Sequence, residues 1–113
     1  MIKLRERAET LGVVLFFKDT NTNNLKDYYR QCRQTGALDT GVHFFVTPEG
    51  AIETDRSIET IAGWNLPDNE VSIYILVQTS TGKPSDSQSY VLTRLIADLQ
   101  KKYKDLKTIE RTE

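Results

Sequence analysis

Two side chains in this sequence suit nucleophilic or metal chemistry near neutral pH: the one histidine, His43, and the one cysteine, Cys32. A catalytic zinc site draws three protein ligands from His, Cys or carboxylate and keeps a further position open for water. One His and one Cys do not complete that set without carboxylates. Acidic candidates are plentiful, with Glu49, Glu53, Asp55, Glu59, Asp68 and Glu70 in the middle of the chain. A glycosidase-like pair among them needs a defined separation and one carboxyl of raised pKa, and sequence spacing sets neither. A Cys32–His43 nucleophilic pair would need the thiol to face the imidazole. Cys32 instead falls on the apolar face of a helical pattern, where a small buried hydrophobe is expected. No phosphate-binding loop or dinucleotide fingerprint is present, and Gly82-Lys83 alone is too short a signal to count as one.

The elements that must position these residues can be read from periodicity. Gly12-Val13-Val14-Leu15-Phe16-Phe17 is β-branched and aromatic and predicts a buried strand. A polar loop follows to Asn23 and Asn24, both good N-caps. Leu25, Tyr28, Tyr29 and Cys32 then recur at helical spacing, and Gly36 supplies a C′ stop. Of the two tyrosines, one is expected buried and one half-exposed. Val42 to Thr47 predicts a second strand, Pro48-Glu49-Gly50 a turn and Ala51-Ile52-Glu53 its antiparallel return. Residues 57–69 read as irregular, with one turn of helix at most. Val71 to Gln78 predicts a central strand, apolar on both faces. Ser85-x-x-Gln88 is a capping box. The helix it opens carries Val91, Leu92, Leu95, Ile96, Leu99 and Tyr103 as a stripe, with lysines near its C-terminus. Lys107 to Glu113 reads as a tail or an edge strand. The order strand, helix, three strands, helix implies an α/β single domain spanning residues 1–113, with a mixed central β-sheet flanked by helices.

Composition bounds the rest. The chain has 113 residues, 38% hydrophobic and 27% charged, with a net charge of −1. That is enough for one modest core, and the charge does not suggest a broad nucleic-acid or anionic-membrane surface. The longest apolar runs are too short to span a bilayer. The N-terminus lacks the apolar stretch of a secretory signal. A lone cysteine fits a reducing compartment. These features set the expectation of a cytoplasmic protein without membrane or direct nucleic-acid contacts.

The order of several short motifs carries a resemblance. Gly36-Ala37-Leu38-Asp39-Thr40-Gly41-Val42-His43-Phe44, Glu49-Gly50, Asp55-Arg56, Ala62-Gly63 and Ser72-Ile73-Tyr74 follow one another as in the type 2 N-acetylmuramoyl-L-alanine amidases, the fold shared with peptidoglycan-recognition proteins. The chain looks most like the short phage lysozymes of that family, one of which also inhibits its phage's RNA polymerase. The likeness covers nearly the whole sequence. It implies a zinc-dependent cell-wall amidase, and the departures fall on that chemistry. Phe16 stands where the first zinc His is expected, at the end of the first strand. Val42 replaces the catalytic Tyr of the Gly-Tyr-His-Phe motif. Tyr74 replaces a small Gly of the central strand. The second zinc His would match a segment within 109–113, which holds no His, and the third ligand would fall past residue 113. His43 matches a His that lies near the metal without being one of its usual ligands.

The resemblance therefore implies an amidase scaffold without its metal or any cofactor: not an enzyme, but a phage or prophage protein that binds a host or phage protein in the infected cell. The alternative is a non-catalytic binder of a small ligand, a peptidoglycan fragment or a signalling nucleotide, in the former substrate groove. A residual metal-free hydrolase using acidic residues ranks last. The residues expected around that groove are Phe16, Lys18, Val42, His43, Trp64, Asn65 and Tyr74. Trp64, between Gly63 and Pro67, is either an exposed anchor or a cap on the core. Lys18, Lys26, Arg30 and Arg33 flank the same mouth, as an anion-binding face or simply a solvated surface.

Overall fold

The computed structural model describes residues 9–37, 40–62 and 71–112. Its elements are β1 (Gly12–Lys18), α1 (Leu25–Gln34), β2 (Phe44–Val46), β3 (Ile52–Thr54), β4 (Ser72–Gln78), α2 (Asp86–Lys102) and β5 (Lys107–Thr112). The strands form one five-stranded sheet in the order β3-β2-β4-β1-β5. β4 pairs in parallel with both β1 and β2, β5 pairs in parallel with β1, and only β3 runs antiparallel, to β2. This is the mixed sheet that the sequence implies, and the tail of the sequence is its fifth strand.

Side-chain alternation divides the core into two layers. Val13, Leu15, Phe17, Ile73, Ile75 and Val77 face α2 and pack with Leu92, Leu99 and Leu106. Val14, Phe45, Tyr74 and Leu76 face the other way, toward Tyr28 of α1, with Phe16, Leu25 and Cys32 half-buried around them. All seven residues of β4 are buried. A strand sealed on both faces must be apolar throughout its middle, which is why Ile73 to Val77 lacks the polar alternation of a surface strand. Each such side chain contributes about 1.5–3 kcal/mol through burial. Tyr28 is buried and Tyr29 is 43% exposed, as helical spacing predicts.

The helix ends follow their caps. Asn24 accepts from the Asp27 N–H at the start of α1, and Gly36 takes a φ of +94° just past its end. Ser85 and Gln88 form the reciprocal capping box of α2. Gly50, at φ +89°, closes the turn between β2 and β3. A Cβ there would meet Ser87 at 3.0 Å, so this position excludes a side chain twice over.

Two differences from the sequence reading bear on the site. β1 continues to Lys18, so Phe16 lies inside the strand rather than at its end. The second strand is shorter than Val42 to Thr47, because the chain at His43 leaves the regular ladder before β2 begins at Phe44.

An exposed ion pair joins the loop after β3 to α2. Lys102 Nζ lies 2.8 Å from Glu59 Oε1, and Ser57 also donates to this carboxylate. The Lys102 hydrogen bond, with help from Ser57, lowers the Glu59 carboxyl from its ordinary value to about 2. A depressed carboxyl contributes stability above its unfolded value, and that contribution disappears as pH falls through the folded one. The stability difference between wild type and Glu59→Gln is therefore expected to be small and constant above about pH 5 and to vanish on acidification toward pH 2. Denaturant titrations at the two pH values check this.

Candidate functional site

The groove expected from sequence centres on Phe16, Val42, His43 and Tyr74, and the structure brings these four together on the α1 side of the sheet. β1 supplies Phe16, β4 supplies Tyr74, and the segment entering β2 supplies Val42 and His43. Their rings line up across the strands. Phe16 stacks on Tyr74 with centroids 5.9 Å apart and planes 13° from parallel. His43 lies on the other side of Tyr74 at 6.5 Å and 7°. Tyr74 and His43 are fully buried, Val42 is buried, and only Phe16 keeps partial exposure. Offset stacking of this kind adds about 0.5–1.5 kcal/mol per pair beyond burial.

His43 is held by the backbone on every side. Its N–H donates to the Tyr74 carbonyl at 2.8 Å, and its carbonyl accepts from the Asp55 N–H at 2.9 Å. The Tyr74 N–H donates to His43 Nδ1 at 3.0 Å. Nδ1 is thus an acceptor, which places the ring proton on Nε2, and Nε2–H donates to the Thr60 carbonyl at 2.7 Å. The imidazole takes over a ladder position of the sheet, which explains the late start of β2. Both ring nitrogens are committed, so neither offers a lone pair to a metal or a base to the Cys32 thiol. His43 is thus a fully buried imidazole with both ring nitrogens hydrogen-bonded.

The loop that supplies Thr60 is itself braced. Arg56 is buried, donates to the Ile61 carbonyl and contacts Asp55 at 3.4 Å. The same Asp55 oxygen accepts from the Thr40 hydroxyl at 2.7 Å. The Asp55-Arg56 pair, one of the motifs that carry the resemblance, thus positions the loop over His43.

A zinc ion does not fit these residues. Phe16, which the resemblance sets against the first zinc ligand, has no lone pair. Tyr74 fills the space beside it. His43 has both nitrogens engaged, and β5, where the resemblance would put a second His, has none in its sequence. Among the described residues, no group of three or more His, Cys, Asp or Glu side chains could hold a metal ion.

Lys18 closes β1 at the rim of this region and is half-exposed. Trp64 and Asn65 lie outside the described residues. The scattered carboxylates do not converge among the described residues: Glu53 accepts from the Leu25 N–H at the head of α1, Asp55 serves Arg56 and Thr40, and Glu59 serves Lys102.

Two residues that sequence reasoning missed close the carboxyl ends of the parallel strands, where open α/β sheets bind ligands. Gln78 accepts from the Thr20 N–H at 2.8 Å and from its hydroxyl, and donates to Asp19 at 2.9 Å. The Gln78 amide, joined by the Asn21 N–H, lowers the Asp19 carboxyl below its ordinary value. Gln88 is 2% exposed and donates to both the Thr47 and Gln78 carbonyls, at 2.9 and 2.6 Å, tying β2 and β4 to α2. Its capping-box spacing was the only signal in the sequence. A shallow cleft of about 350 Å³ lies beside it, lined by residues such as Thr79, Thr81 and Lys83. Their polar groups turn on one another, as in the Thr79 hydroxyl donating to the Lys83 carbonyl at 2.6 Å.

Comparison with solved structures gives the architecture its family resemblance. The chain superposes on the endolysin N-acetylmuramoyl-L-alanine amidase LysCS from Clostridium intestinale URNW with a TM-score of 0.78 and 20% identity, over 95% of this chain and 73% of that one. This is the amidase and peptidoglycan-recognition fold. PGRP-Hd from Alvinella pompejana matches with a TM-score of 0.75 and 16% identity, over 98% of this chain and 77% of that one. PGRP-SA of the bumblebee matches at 0.76 and 16%, over 96% and 74%. No protein-family model and no curated protein matches the sequence. At these identities the likeness is one of fold, and fold leaves activity to the residues of the site. Among the described residues, no helix is long and apolar enough to cross a membrane.

Proposed function

We propose that this protein is a non-catalytic module on an amidase scaffold, of phage or prophage origin, that works by docking on a host or phage protein in the bacterial cytoplasm. The observation that carries this reading is the Phe16–Tyr74–His43 stack. It occupies the region where the amidase resemblance puts the metal, and it leaves no imidazole nitrogen for catalysis. The origin and the mode of action rest on the resemblance to short phage lysozymes, one of which has a protein target separate from the cell wall.

The test pairs two assays on wild-type protein. Muropeptide hydrolysis with and without added zinc is expected to stay at background. A quantitative pull-down from bacterial lysate, compared with Trp64→Ala, is expected to retain one protein near stoichiometry with wild type alone. Zinc-dependent hydrolysis would overturn the reading. A co-purifying small molecule with no enriched protein would replace it with a ligand-binding role for the groove.

A further inference from the structure

The sheet ends at β3, and the hydrogen-bond phase there fixes which groups face outward. The Thr47 N–H bonds to the Ala51 carbonyl, and the Asp55 N–H bonds to the His43 carbonyl. In an antiparallel ladder bonded and non-bonded pairs alternate. The bonded pairs are therefore 45/53 and 47/51, with 43/55 joined by the Asp55 N–H alone because the His43 N–H turns to Tyr74, within the register that places Phe45 opposite Glu53. The N–H and C=O of Ile52 and Thr54 consequently point away from β2, off the edge of the sheet. Both residues are exposed, and no described strand lies beyond them.

The same edge has a largely apolar groove on one face and a carboxylate on the other. On the α2 side, Ile52, Tyr90, Val91 and Leu95 line a groove of about 280 Å³ that Arg94 and Asp98 complete with one charge of each sign. Ile52 is 38% and Tyr90 62% exposed, so the two large side chains border an unfilled space. On the α1 side stands Glu53, half-buried, its carboxylate accepting from the Leu25 N–H at 2.8 Å.

We infer that the β3 edge is a docking strand for an extended segment of another protein, one carrying a basic residue flanked by large aliphatic residues. This rests on the docking role proposed above and names its surface. Directly opposed residues in an antiparallel pair share a face. The segment's central residue would lie opposite Glu53, where a Lys or Arg is favoured and a carboxylate disfavoured. Its two neighbours would point to the α2 side, beside Ile52 and Thr54, and enter the groove. The four outward backbone groups supply the main-chain ladder of strand addition. A second copy of this chain is the poorer occupant. The two-fold pairing that satisfies both Ile52 and Thr54 is centred on Glu53 and sets it against its own symmetry mate.

The probe is a capped pentapeptide, acetyl-Thr-Ile-Lys-Val-Thr-amide, titrated into the protein and followed by amide NMR, alongside sedimentation of the protein alone. Saturable shifts are expected at Ile52, Thr54, Tyr90 and Val91. A peptide with Glu in place of Lys should bind about fivefold more weakly or worse, from the charge pair alone. Ile52→Pro removes an outward N–H that β2 does not use, and should abolish the shifts while the rest of the spectrum keeps the native fold. No saturable shift, shifts elsewhere, or binding unchanged in Ile52→Pro would overturn the inference. So would sedimentation of the free protein as a dimer that Ile52→Pro dissociates, since the edge would then belong to a second copy. A failed peptide titration beside a successful pull-down would reject this surface and leave the docking role standing.

Discussion

Tyr74→Ala is expected to destabilise the protein by about 3–5 kcal/mol, the range for truncating a large buried aromatic. Tyr74 is fully buried, lies in the central strand and touches a ring on either side. Its removal opens a cavity between Phe16 and His43 that neither backbone-bound strand can collapse to fill. A domain of this size holds only about 5–15 kcal/mol in total, so the variant should lose a large share of its stability. Urea denaturation with an unchanged slope and a lowered midpoint would measure the loss. A cost under about 1 kcal/mol would mean that the ring is not part of the packed core. This is the sharpest contrast with a scaffold that keeps a small Gly at this place, where the same space must stay open.

His43→Phe is the second large effect. The substitution keeps a ring of comparable size for the stack and deletes both side-chain hydrogen bonds. The Tyr74 N–H loses its acceptor in a fully buried position, and the carbonyl of the half-buried Thr60 loses the bond from Nε2–H. Losing the buried acceptor of the Tyr74 N–H costs about 1–3 kcal/mol and losing the part-buried Thr60 bond about 0.5–1.5, so the variant should be less stable by about 1.5–4.5 kcal/mol. His43→Gln offers an acceptor and a donor without the ring, and should recover part of that loss. Hydrogen exchange at the Tyr74 amide provides a local readout: it should be slow in wild type and greatly accelerated in His43→Phe. An unchanged amide with normal stability would show that the imidazole is not holding the ladder.

Much of this was legible in the sequence, for reasons that are local. Ile73 to Val77 announces a strand sealed on both faces because no charged residue interrupts it. Asn24, Gly36 and the Ser85–Gln88 box mark helix ends because capping acts over three or four residues. The departures at Phe16, Val42 and Tyr74 are what the resemblance implies from the order of its motifs; the structure adds that Val42 and Tyr74 are buried and that Phe16 stacks on Tyr74. What was not legible depends on contacts between distant segments. Val42 to Thr47 has the composition of a strand six residues long. Only the capture of Nδ1 by the Tyr74 N–H, 31 positions away, shows that His43 breaks the ladder. Gln88 reads as a capping residue, and its second amide role appears only when β2 and β4 end beside it. Which edge groups of β3 face outward likewise follows from hydrogen-bond phase, which composition does not encode.

We propose that the Phe16–Tyr74–His43 stack stands where the amidase resemblance puts the metal, and zinc titration of the metal-stripped protein tests this most directly. Calorimetry and thermal unfolding should be run together, because a ligand that binds only the folded state must raise the unfolding temperature by mass action. The account predicts no stoichiometric heat and no rise in melting temperature with zinc, and no fall with chelator. One zinc bound per chain, with a matching rise in melting temperature that chelator reverses, would contradict it.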